Sequence, residues 1–211
     1  MTTGRLSVPP GRAGRLSLTA RLETARRGAG LLDRKLRLLR DELARRQSAA
    51  ELAAERWDRC QADAQRWLLR AGLLGGQHAI RLAADGQFAD VTVTDAVTMG
   101  IRYPATATCT IPAPATWDGP ALAQARRAHR DALAAAVQHA VAARALHVIE
   151  SEALATRHRL RAIQDRWIPQ LEQALAQVSL AVEELERADA ARLRLAMGRA
   201  VTPPEPREED I

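Results

Sequence analysis

Residues 25–39 read ARRGAGLLDRKLRLL. On either side of this stretch leucines and alanines recur at spacings of three and four, the mark of a packed helical seam. Gly28 and Gly30 lie inside it, and each costs about 1 kcal/mol relative to alanine in a helix interior. Lys35 is the single lysine of the chain; every other basic residue is arginine. Alternate steps of four and three, taken outward, trace a path from Leu18 through Leu22, Ala25, Ala29, Leu32, Leu36, Leu39 and Leu43. It continues through Arg46, Ala50, Ala53, Trp57, Cys60, Ala64, Trp67 and Ala71 to Leu74. Only Arg46 is charged. A sustained period of 3.5 residues predicts a left-handed coiled coil.

The second half repeats the pattern. From Ala132 the path runs through Ala135, His139, Ala142, Leu146, Ile149, Ala153, Thr156, Leu160, Ile163 and Trp167. It slips by one residue around Pro169 and resumes at Leu171, Ala174, Val178, Ala181, Leu185 and Ala188. An interior proline removes one backbone hydrogen bond, so a kink, not an end, is expected there. Between Gly72 and Pro120 the helical pattern breaks. FADVTVTDAV and ATATCTI alternate with the period of two expected of strands rich in β-branched residues, and TMGIRYP lies between them.

The expected fold is mainly α: a long antiparallel two-helix coiled coil with a small β-hairpin-containing head between the helices. The expected organisation is a flexible N-terminus over 1–15, a coiled-coil helix over 16–72, the head over 73–119, a second coiled-coil helix over 120–201 and a disordered tail over 202–211. The tail, TPPEPREEDI, is proline-rich and acidic, a composition that favours disorder.

Composition agrees with a thin helical assembly. Aromatic residues make up 3% of the chain, too few for a large aromatic core, whereas alanine, leucine, arginine and glutamate are the usual residues of coiled coils. The net charge is +6 and unevenly placed: residues 1–46 hold twelve Lys/Arg against four Asp/Glu, a local +8. A basic end suits nucleic acid, an anionic membrane surface or an acidic protein cavity. No aromatic residues interleave with it to stack bases, and no nucleic-acid signature is present. Cys60 and Cys109 form no CxxC pair, which fits a reducing cytosol. No run approaches the roughly 20 apolar residues of a membrane span.

Chemistry is sparse. There is no P-loop, no GxGxxG after a strand and no HExxH. GLLGGQHAI is glycine-rich but lacks the lysine and hydroxyl that hold phosphate and magnesium. His139, His147 and His158 match no usual metal-ligand spacing, so His139 reads as a polar seam residue. Glu183/Glu184 and Glu208/Glu209 sit on a polar helix face or in the tail, where nothing would raise a carboxyl pKa. Trp57, Trp67 and Trp167 fall on seam positions and read as packing; Trp117, in the irregular segment, does not. No catalytic site, cofactor site or metal site emerges. The bare pattern still admits a coiled-coil stalk of an export-type hexameric ATPase, or a basic nucleic-acid-binding coiled coil whose affinity would fall steeply with salt.

Four segments, in order, resemble the D subunit of vacuolar/archaeal-type rotary ATPases. Leu22, Ala25, Gly28, Leu31, Leu32, Lys35 and Leu39 match the pattern of that family's N-terminal helix. Upstream, Pro10, Arg12 and Leu16 agree, with Gly11 in place of a threonine. TMGIRYP, with Met99, Gly100 and Pro104, is similar to the central hairpin segment. RLRAIQDRWIPQLEQAL agrees at Arg159, Ala162, Ile168, Pro169 and Leu171, with Arg161 in place of asparagine. ERADAARLR agrees at Glu186, Arg187, Arg192, Leu193 and Arg194, with Ala191 in place of phenylalanine. The resemblance spans roughly residues 9–197.

It implies a non-catalytic central rotor shaft without cofactors, cytoplasmic and peripheral to the membrane as part of the complex. Its partners would be the catalytic hexamer, the small F subunit of the rotor and the funnel-shaped subunit that joins the membrane ring, with no direct nucleic acid and no membrane insertion. Arg12, Arg15, Gly28, Lys35, Met99, Gly100, Pro104, Pro169, Arg192 and Arg194 are the candidate interaction residues. Gly28 would admit another backbone, and Lys35 would be a surface contact; the plainer alternative is a tolerated glycine beside a solvated lysine. The β-type insertion at 88–111 favours this family over the export stalk.

Overall fold

The computed structural model describes residues 8–83, 88–112 and 119–201. Helix α1 runs Gly11–Ala83, strand β1 Asp90–Thr98, strand β2 Ile101–Thr110, helix α2 Pro120–Arg161 and helix α3 Ile168–Val201. A π-helical segment, Ala162–Trp167, joins α2 to α3. The mainly α fold with a small hairpin is as expected. Trp117 and the tail over 202–211 lie outside the described residues.

Helix α1 contains no proline, and its alanine, leucine, arginine and glutamate content favours helix throughout. It begins inside the segment expected to be flexible and continues past 72 to Ala83. The glycines expected to end it produce one break: Gly76 leaves helical geometry at φ 70°, ψ 172°, and Gln77–Ala83 resume it. Glycine takes this left-handed φ without a Cβ penalty.

The chain divides into two compact units, one of Met1–Leu32 with Arg159–Ile211, the other of Asp33–His158. In the first, Leu18, Leu22 and Leu171 form a buried cluster covered by Val8, Ala25, Ile168, Ala174, Leu175 and Val178. Arg12 pairs with Glu186 and Arg26 with Glu172, so the two helical stretches run antiparallel. In the second unit, Lys35 meets Glu152, Trp57 stacks on His139 and Arg126 donates to the Ala83 carbonyl. The pairing is again antiparallel.

The segment before Pro169 shows how the second helix accommodates a proline. The Ile168 N–H donates to the Ile163 carbonyl, five residues back, which is the π pattern. A π turn inserts one residue into an α-helix, the same one-residue slip seen in the apolar pattern. The helix continues, but no residue of Ala162–Trp167 is buried. Trp167, a seam position by spacing, is 38% exposed.

The hairpin pairs β1 antiparallel to β2, from Asp90↔Thr110 to Thr98↔Ile101, with a bulge between Thr94 and Asp95 that leaves Ala105 unpaired. The connection is two residues, Met99 at φ 51° and Gly100 at φ 78°. Two successive positive φ values make the type I′ turn that matches strand twist. Pro104 lies opposite Asp95. Counting from the hydrogen-bonded Thr98/Ile101 pair beside the turn, Asp95/Pro104 is a non-hydrogen-bonded pair. The missing proline N–H therefore costs the ladder nothing.

One 18-residue window within Pro120–Met197 reaches a mean hydropathy of 1.4, enough by length and composition for a membrane span. Only 22% of that window is buried, so it is not a mostly buried core helix; length and composition alone argue only weakly for a span.

Candidate interaction surfaces

The hairpin is fastened to α1 by a polar anchor inside the second unit. Glu42 is 6% exposed, yet its carboxylate receives three guanidinium bonds: Arg45 donates to Oε2 at 3.0 and 2.6 Å, and Arg46 to Oε1 at 2.7 Å. The bonds from Arg45 hold its pKa below the ordinary carboxylate value; burial opposes them, and Arg46 adds to the lowering. Arg46 then donates from Nη2 to the Tyr103 hydroxyl at 2.8 Å, with its guanidinium carbon 4.5 Å from that ring's centroid. Tyr103, the only tyrosine of the chain, is 6% exposed. Its hydroxyl also contacts Thr98 Oγ1 at 3.4 Å. A second tie runs from Gln138 on α2 to the Ala107 carbonyl of β2 at 2.8 Å.

This explains the one charged residue on the apolar path of α1. Arg46 occupies a seam position because it bridges a buried carboxylate and the hairpin. Glu42, Tyr103 and Gln138 carry the anchor and were not among the candidates. The signals for them were the lone charge in the seam and the single tyrosine inside TMGIRYP.

The candidates fall in two groups. Lys35, Met99, Gly100 and Pro104 belong to the second unit. Lys35 Nζ donates to Glu152 Oε1 at 2.9 Å, both side chains about one-third exposed or less. It is thus a cross-helix contact within the chain. Met99 and Gly100 form the hairpin turn, and Pro104 lies in β2.

Arg12, Arg15, Gly28, Pro169, Arg192 and Arg194 belong to the first unit. Arg12 pairs with Glu186 at 2.7 Å, and Arg192 with Asp189 at 3.1 Å; Arg15 and Arg194 are exposed. From Glu183 to Met197 no residue of α3 is buried, and Leu185, Leu193, Leu195 and Met197 are 58–70% exposed. Gly28 is not crowded by its own chain: a Cβ built there meets no atom within 4 Å. It lines a shallow cleft with Ala20, Thr24, Ala25, Ile163 and Trp167, beside the π segment.

Among the described residues no group of three or more His, Cys, Asp or Glu could hold a metal ion. The clustered groups offer contacts: guanidiniums held in fixed directions, a fastened hairpin and an uncovered apolar helix end.

The family model for the ATP synthase D subunit matches residues 15–197. No curated protein matches the chain.

Proposed function

Because the chain belongs to the ATP synthase D subunit family of V/A-type rotary ATPases, we propose that it is the central rotor shaft of such a motor. It is a non-catalytic subunit, coupling ATP hydrolysis or synthesis in the catalytic hexamer to rotation of the membrane ring and ion transport. Its partners are the hexamer, the small F subunit of the rotor and the funnel-shaped subunit. It works at the cytoplasmic side of the membrane without inserting into it. The family match across 15–197 carries this reading.

An asymmetric helical pair inside a pseudo-threefold bore cannot touch all three catalytic interfaces alike. Unequal contacts bias each interface toward a different conformation, which is what coupling requires. The uncovered apolar and arginine-bearing end of α3, with the basic start of α1, supplies the contacts for the bore. Exposed arginines there meet complementary charge on the hexamer.

Co-expression with the catalytic subunits and the small rotor subunit, then native mass spectrometry, tests the reading. One copy of this chain per hexamer, with one small subunit, is the expected result. No association, or several copies per hexamer, overturns it.

A further inference from the structure

We infer that the outer edge of β1 is a docking site for an extended strand of a partner subunit, one carrying basic side chains opposite Asp90 and Asp95. The hairpin is a two-stranded sheet, so β1 has a neighbour on one side only. Among the described residues no backbone hydrogen bond reaches that free edge. Counting from the hydrogen-bonded Thr98/Ile101 pair, the N–H and C=O groups of Val91, Val93, Asp95 and Val97 face outward. The bulge sits on β2, so this alternation is unbroken along β1.

Edge strands are usually protected by charged side chains, above all lysine, or by proline, a bulge or a covering element. Here only Asp90 and Asp95 serve, and they repel acidic strands but not basic ones. Asp90–Thr98, DVTVTDAVT, has no lysine, no proline and no bulge of its own. Val91, Val93 and Val97 are 43%, 50% and 63% exposed, a β-branched surface of the kind that packs against a neighbouring strand. Two strands alone are marginal in water, and a third stabilises them.

Charge selects the occupant. Asp90 and Asp95 are exposed and, like several other surface carboxylates, form no ion pair among the described residues, so both are open to a basic partner. The strand is an acidic element on a chain of net charge +6. A second copy would bring acidic edges together; a basic strand gains cross-strand pairs and main-chain bonds by β-augmentation.

This inference rests on the chain working within a rotary complex. Native mass spectrometry first reports assembly. Residue-resolved hydrogen exchange then compares the free chain with the purified complex. Slowing of about tenfold or more at Val91, Val93, Asp95 and Val97, with the inward amides of Thr92 and Thr94 already slow in the free chain, is expected. Asp95→Lys should leave the free fold intact and weaken assembly about fivefold, since the opposite-charge pair becomes a like-charge pair. Assembly with unchanged exchange at these amides overturns the docking site and leaves the shaft reading standing. Protection that instead grows with concentration in the free chain identifies a second copy and also overturns it. Failure to assemble removes the shaft reading, and the docking site with it, by a separate signal.

Discussion

The two units pair helices in different ways. In the first, leucines do the packing: Leu18 and Leu171 are fully buried, Leu22 nearly so. The ion pairs at its rim, Arg12–Glu186 and Arg26–Glu172, are about half exposed or more. The second also buries Leu36, Leu39 and Ile149, but more of its buried helix positions are alanines, among them Ala50, Ala64, Ala71, Ala135 and Ala145. Alanine buries little area, so its contribution per contact is small. Polar cross-links compensate there: Lys35–Glu152, the Glu42–Arg46–Tyr103 anchor, and the Trp57–His139 stack, with ring centroids 5.2 Å apart. Both units bury large aliphatic side chains; the second adds an alanine-rich stretch whose polar cross-links fix register and hold the hairpin.

Truncation of the leucine seam should give the largest effect. Leu18→Ala or Leu171→Ala is expected to destabilise the chain by about 2–5 kcal/mol, because lost burial adds to a residual cavity. Denaturant unfolding measures it. An effect as small as that of a surface substitution would break the contrast between the units.

The polar anchor comes next. Glu42→Gln should cost about 1–3 kcal/mol by weakening charge-assisted bonds to two guanidiniums. The pH dependence has a definite sign. Glu42's folded pKa is lowered, so its stabilisation is present above the ordinary carboxylate pKa of about 4.3 and is lost as pH falls through the lowered folded value. Unfolding midpoints measured from neutral pH downward should fall in the parent chain, with that component missing in Glu42→Gln.

Gly28→Ala should stabilise the isolated chain by up to about 1 kcal/mol, since the added Cβ meets nothing. A gain in the isolated chain together with weaker assembly would assign the open space to a partner's backbone. Lys35→Met is the smallest, about 1 kcal/mol or less for a partly exposed pair. A larger loss would make the cross-helix pair a principal support of the second unit.

Much of this was legible in the residues. The path through Leu18, Leu22, Leu36, Leu39, Ala64 and Ala71 lies on buried positions, and the slip at Pro169 coincides with the π segment. The hairpin was legible in the alternation of FADVTVTDAV and ATATCTI, but its boundaries were not. TMGIRYP, expected between the strands, supplies only the Met99–Gly100 turn, and its residues 101–104 belong to β2. Alanine-rich stretches were less legible, because small apolar residues occupy several faces and leave the phase ambiguous. The structure buries Val141 and Ala145, each one residue from the expected Ala142 and Leu146, and leaves Leu74 79% exposed beside the break at Gly76. The anchor was least legible: a buried glutamate three and four residues from two arginines also reads as an ordinary solvated helix face until the tyrosine that completes it is placed.

The most direct test of the shaft role is rotation. A probe attached to this chain, with the catalytic hexamer fixed to a surface, should turn in one direction when ATP is supplied, pausing three times per revolution. A complex that hydrolyses ATP at full rate while this chain stays still would contradict that role.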